Sequence, residues 1–142
     1  MSYFDSAYIA KFYVDEPDSE AVRRLADTLG RVYCCALGRI EVAGVFHRKW
    51  RESAFSEREF HEVSAQFTDD CTAGLWMWLS VTDRLVANAA ESLRTLSKRI
   101  PIRSADAVHL ACARGHGLRR VYTNDRHMVR AAPAFGIEAM GI

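Results

Sequence analysis

Short apolar stretches alternate with helical patterns along this chain, and that alternation limits the folds open to it. Tyr3-Phe4, Val32–Cys35, Leu75–Val81, Val121–Thr123 and Gly136–Ala139 read as strands. Between them, helical spacing runs from Ser6 to Val14, from an Asp18 cap to Leu29 and from Leu37 to Arg51. A Ser56-x-x-Glu59 capping box opens a further helix. Three more run from Thr82 to Arg99, from a Ser104 cap to Arg114 and from Asp125 to Ala132. Strands separated by helices pair in parallel, with helices on both faces. The expected class is α/β, in one domain spanning residues 1–142. A chain of this length buries about two thirds of its unfolded surface, enough for a core without disulfides or structural metal.

In such sheets the functional site lies at the carboxyl ends of the strands. Asp5 follows the first strand, and Asp125 follows Val121–Thr123. Asp106 sits in the first turn of its helix, and Glu41 lies on a mainly apolar stripe between Leu37 and Val45. Each has a simpler explanation: Asp5 and Asp125 as helix caps, Asp106 at the positive end of a helix dipole, Glu41 paired with Arg48 or reaching solvent. Together they suggest a metal site. Carboxylates facing one cavity repel each other, and a hard divalent cation removes the conflict. Mg²⁺ and Mn²⁺ suit an all-oxygen donor set, whereas no Cys/His cluster has zinc-ligand spacing. Spacing alone leaves open whether the four acids converge.

Taken alone, the net charge of +1 argues against a simple basic nucleic-acid binder, but it is unevenly spread. Residues 1–97 carry 11 Lys/Arg against 15 Asp/Glu, and residues 98–142 carry 8 against 3. Without the four acids, 19 basic residues face 14 acidic ones, a net of +5. Cys34, Cys35, Cys71 and Cys112 form no C-x-x-C pair and are expected to be reduced and mostly buried. The N-terminal stretch lacks a signal-peptide pattern and no apolar run is long enough for a membrane span, so a cytoplasmic protein is expected.

At these acids the chain resembles the PIN-domain family, specifically its VapC-like toxin ribonucleases. The matching pieces are Phe4-Asp5-Ser6-Ala7, Arg39-Ile40-Glu41, Ser104 through Ala111, and Tyr122-Thr123-Asn124-Asp125-Arg126, which together span nearly the whole chain. Where family members often place Ser or Thr shortly before the helical Glu, this chain has Cys34-Cys35-Ala36-Leu37-Gly38. The resemblance implies a three-layer α/β/α fold with a short, mainly parallel sheet. It implies that Asp5, Glu41, Asp106 and Asp125 are catalytic and hold one or two Mg²⁺ or Mn²⁺ ions. It also implies metal-dependent endoribonuclease activity, a cognate antitoxin and a homodimer. Alternatives are a PIN-fold module that binds RNA or protein without cleaving, and a metal phosphohydrolase acting on DNA or small phosphate esters.

Other residues take supporting roles. Ser6 and Thr123 are candidates to hydrogen-bond a ligating carboxylate or a bound water. Arg103, Arg126 and Arg48 are candidate phosphate clamps. Arg114, His116, Arg119, Arg120 and Arg130 would extend that face along an RNA backbone. His109, on the helix face of Asp106, reads as a packing residue more readily than as a proton shuttle. Trp50, Trp76, Trp78 and the phenylalanines 46, 55, 60 and 67 read as core or dimer surface rather than base-stacking platforms.

Overall fold

A computed structural model describes residues Met1–Ile142. Five strands form one sheet: β1 (Ser2–Phe4), β2 (Val32–Cys35), β3 (Trp76–Leu79), β4 (Arg120–Tyr122) and β5 (Glu138–Met140). Their order is β3-β2-β1-β4-β5, and every neighbouring pair is parallel. The helices are α1 (Ser6–Tyr13), α2 (Ser19–Leu29), α3 (Leu37–Arg51), α4 (Glu57–Ala73), α5 (Asp83–Thr95), α6 (Ser104–Gly115) and α7 (Arg126–Ala131). A 3-10 turn, Ala132–Phe135, follows α7, because Pro133 cannot supply the amide that would extend the helix.

The chain first moves outward from β1 to β3, then crosses to the other side of β1 and moves outward again from β4 to β5. Right-handed crossovers therefore put the two sets of helices on opposite faces. Contacts follow that division: α1 packs on α2 and α3, and α3 on α4, while α6 packs on α5 and α7. The result is the expected three-layer α/β/α architecture. Strand order reverses between β1 and β4, which creates a crevice at their carboxyl ends.

One continuous core fills both layers, with Tyr3, Phe4, Ile9, Val42, Phe46, Trp76, Leu110, Val121 and Phe135 fully enclosed. Trp76 and Phe67 are core, as expected, and Trp50 stacks on Phe60 at the α3–α4 junction with 4.6 Å between ring centroids. Cys34, Cys35 and Cys112 are buried free thiols and Cys71 is half-buried. No helix is long and apolar enough to cross a membrane.

Three helix ends differ from expectation. Asp18 makes no side-chain cap; it sits in the left-handed region at φ 72°, and the Ser19 hydroxyl instead accepts from the Glu16 amide and donates to the Val14 carbonyl. Ser104 is the first residue of α6 rather than its cap, a position taken by Arg103 without a side-chain bond. Helix α5 stops at Thr95 rather than Arg99, because Leu96 turns to extended backbone. The Ser56–Glu59 capping box is present in full.

Candidate active site

Asp5 is placed by two local requirements. It follows β1 directly and caps α1, with Oδ1 accepting from the Tyr8 amide at 2.8 Å. The Thr123 hydroxyl, at the carboxyl end of β4, donates to Asp5 Oδ2. Thr123 also accepts from the Asp125 amide at 3.0 Å, so one buried hydroxyl joins the ends of β1 and β4. Asp5 is 4% exposed. Burial raises its pKa above the ordinary carboxylate value, and the bonds from Thr123 and Tyr8 only partly oppose that rise.

Asp125 caps α7 through the His127 and Met128 amides at 2.8 and 3.0 Å. Asp106 lies in the first turn of α6. Arg103 bridges these two: its Nε donates to Asp106 Oδ2 at 2.9 Å and a terminal nitrogen to Asp125 Oδ2 at 3.2 Å. Glu41 comes from the opposite wall, on α3. Gly38 permits this approach, since a Cβ there would stand 2.5 Å from Cys34 Sγ. The start of α3 is thereby seated directly on β2, with Glu41 one turn further on.

Asp5, Glu41, Asp106 and Asp125 line one crevice of about 370 Å³, together with Ser6, Arg48, Arg103 and His109. The donor set is chemically suited to Mg²⁺ or Mn²⁺: four carboxylates from four elements, with two guanidinium groups at the rim. The Arg103 guanidinium already rests between two of those carboxylates, so the site attracts a cation.

The candidate supporting residues fall both inside and outside the crevice lining. Ser6 lines the crevice, but Asp5 makes the cap. Arg126 opens α7, is exposed, forms no ion pair and lies outside the crevice lining. Arg114, His116, Arg119, Arg120 and Arg130 are also absent from the lining. Arg120 opens β4 at its amino end and pairs with Glu138, away from the crevice. Glu41 does not pair with Arg48. Its Oε2 lies 2.7 Å from His109 Nε2.

His109 is therefore more than packing. It is 1% exposed and bonded at both ring nitrogens, with Nδ1 2.7 Å from the Tyr3 hydroxyl. Burial disfavours its charged form, but the Cys35 sulfur and the Glu41 carboxylate outweigh burial and lift its pKa to about 10. Tyr3 was not singled out in the sequence. The signal for it is slight: a hydroxyl-bearing ring at a fully buried strand position requires a polar partner. Cys34, Cys35 and His109 bring two sulfurs and a ring nitrogen within 4.8 Å of one another, a grouping that sequence spacing hid. The Tyr3 hydroxyl occupies the Nδ1 position, so these three do not converge on one open point.

Fold and crevice define the chain as a doubly wound α/β protein with a carboxylate-lined site at its topological switch point. Residues 2–133 match the model of the PIN domain, and the chain belongs to that family. No curated protein matches it. Several solved structures share the fold. FitAcB from Neisseria gonorrhoeae has a TM-score of 0.70 at 18% identity, covering 99% of this chain and 96% of that one. Mycobacterium tuberculosis VapC20, described as a sarcin-ricin loop cleaving toxin, has a TM-score of 0.68 at 18% identity, covering 92% and 95%. A toxin-antitoxin complex from Klebsiella pneumoniae has a TM-score of 0.56 at 12% identity, covering 99% and 96%.

Proposed function

We propose that this PIN domain is an Mg²⁺- or Mn²⁺-dependent endoribonuclease, the toxin of a toxin–antitoxin pair, acting in the cytoplasm. The observation that carries this reading is the single crevice that gathers Asp5, Glu41, Asp106 and Asp125 from four separate elements. These four carboxylates would hold the metal. When bound, the metal supplies a Lewis acid that activates water and offsets charge on a phosphoryl oxygen. Asp5, held between Thr123 and the Tyr8 amide, keeps its orientation without the metal's help. Arg48 and Arg103 at the rim would bind RNA phosphates, Arg103 turning from Asp106 and Asp125 toward the substrate. The likeness to VapC20, a sarcin-ricin loop cleaving toxin, and to the Klebsiella toxin-antitoxin complex supports a toxin role and an antitoxin partner. A homodimer is part of the same reading.

Cleavage assays test it. Structured RNA, single-stranded DNA and p-nitrophenyl phosphate are incubated with the protein in Mg²⁺ or Mn²⁺. RNA alone should be cut, with 5′-phosphate and 3′-hydroxyl ends, and Asp106→Asn should abolish cutting. A 2′,3′-cyclic phosphate product, or an Asp106→Asn variant as fast as wild type, would exclude the mechanism.

A further inference from the structure

Glu41 differs from the other three acids in how it is held. Asp5 and Asp125 are fixed by backbone amides and Asp106 by Arg103. The hydrogen bond from His109 is the contact that fixes Glu41, whose side chain is 27% exposed. Glutamate has three side-chain torsions, so an unfixed carboxylate at this rim would sample many orientations.

Behind His109 stands a second anchor. The Tyr3 hydroxyl lies 2.7 Å from Nδ1 and accepts from the Cys35 amide at 3.0 Å. The chain thus runs from the backbone of β2, through a tyrosine of β1 and a histidine of α6, to a glutamate of α3. All three inner groups are buried, and the ring planes of Tyr3 and His109 meet at 85°. Proton placement follows from donor chemistry. A carboxylate only accepts, so Nε2 carries a proton whatever the charge on the ring. In the neutral ring Nδ1 accepts from Tyr3; in the charged ring it donates to the Tyr3 oxygen. Both states leave the bond to Glu41 intact.

We propose that Tyr3 and His109 form a buried hydrogen-bond relay that fixes Glu41 Oε2 and leaves Oε1 for the divalent cation. Both are positioning residues, acting on the metal through Glu41. The proposal rests on the metal-dependent reading of the crevice. Partners behind a metal ligand of this kind typically change affinity by about 10–100-fold when removed.

The test is Mn²⁺ binding to the full chain, measured by electron paramagnetic resonance of free Mn²⁺, without RNA. His109→Leu should weaken binding by about 10–100-fold. Tyr3→Phe should weaken it less, and His109→Gln, which retains an N–H donor, should recover part of the loss. Thermal melting confirms that each variant is folded; if His109→Leu does not fold, Tyr3→Phe and His109→Gln decide the matter. Two-dimensional ¹H–¹⁵N spectra should show a protonated His109 Nε2 whose shift moves in Glu41→Gln. Equal Mn²⁺ affinity in folded wild-type and relay variants, with Asp5→Asn weakened, would overturn the relay alone. No Mn²⁺ binding by the wild type would overturn the metal reading and the relay with it.

Discussion

The Thr123 hydroxyl, wholly buried at the end of β4, donates to Asp5 Oδ2 at the end of β1. This bond spans the two strands between which the sheet reverses its order. It satisfies one oxygen of a carboxylate that is only 4% exposed. Thr123→Val keeps the shape and removes the donor. Stability should fall by about 1–3 kcal/mol, the cost of leaving a buried acceptor unpaired. Urea unfolding of the two proteins measures the difference; an unchanged midpoint would show that Asp5 finds another donor.

Asp5 itself trades stability for function. Burial raises its carboxyl pKa, so the ionised form destabilises the folded protein above the unfolded value of about 3.9. Asp5→Asn keeps an oxygen to cap α1 and removes the charge. At pH 7 the variant should be at least as stable as wild type, with the gap closing as pH falls through the raised Asp5 pKa toward about 4. Its RNA cleavage should drop on the order of 10²–10³-fold, as when one electrostatic stabiliser is removed from a site. A variant both less stable and fully active would contradict this account. In the wild type, Mn²⁺ affinity should fall as pH drops toward the raised Asp5 pKa, because the proton and the cation compete for one oxygen.

Arg103 occupies the space between Asp106 and Asp125 that a cation would take. Its side chain is 72% exposed, so the pairing is screened and modest. Arg103→Gln should tighten Mn²⁺ binding by a few-fold while raising KM for RNA, because the same guanidinium is lost as a phosphate contact. Calorimetric titration and steady-state cleavage separate the two effects. If KM and Mn²⁺ affinity both stay constant, Arg103 serves neither role.

His109 makes alkaline pH destabilising. Its pKa is lifted to about 10, above the unfolded value of about 6.5. The stability it contributes is therefore fully present below about pH 6.5 and is lost as pH rises through about 10. Melting temperatures from pH 6 to 10 should fall less steeply for His109→Gln than for wild type. Parallel curves would mean that the buried imidazolium adds nothing.

The alternating pattern, the Ser56–Glu59 box and the placement of acids after β1 and β4 were legible in the sequence because each depends on neighbours in the chain. Asp5 and Asp125 are local in this sense: each caps the helix that follows it. The capping role of Asp18 was misread because Ser19 offers a competing local bond, which only the backbone conformation resolves.

By itself, then, the sequence determined the α/β class, the strand and helix order and the four acids that merit attention, since propensity, periodicity and capping act over a few residues. Only the tertiary structure decided that β4 lies beside β1, that Arg103 bridges Asp106 and Asp125, and that Tyr3 reaches Glu41 through His109. The Tyr3–His109 bond alone joins residues 106 positions apart. Side-chain hydrogen bonds at such separation are set by how the crossovers stack helices on the sheet, and no local pattern encodes them.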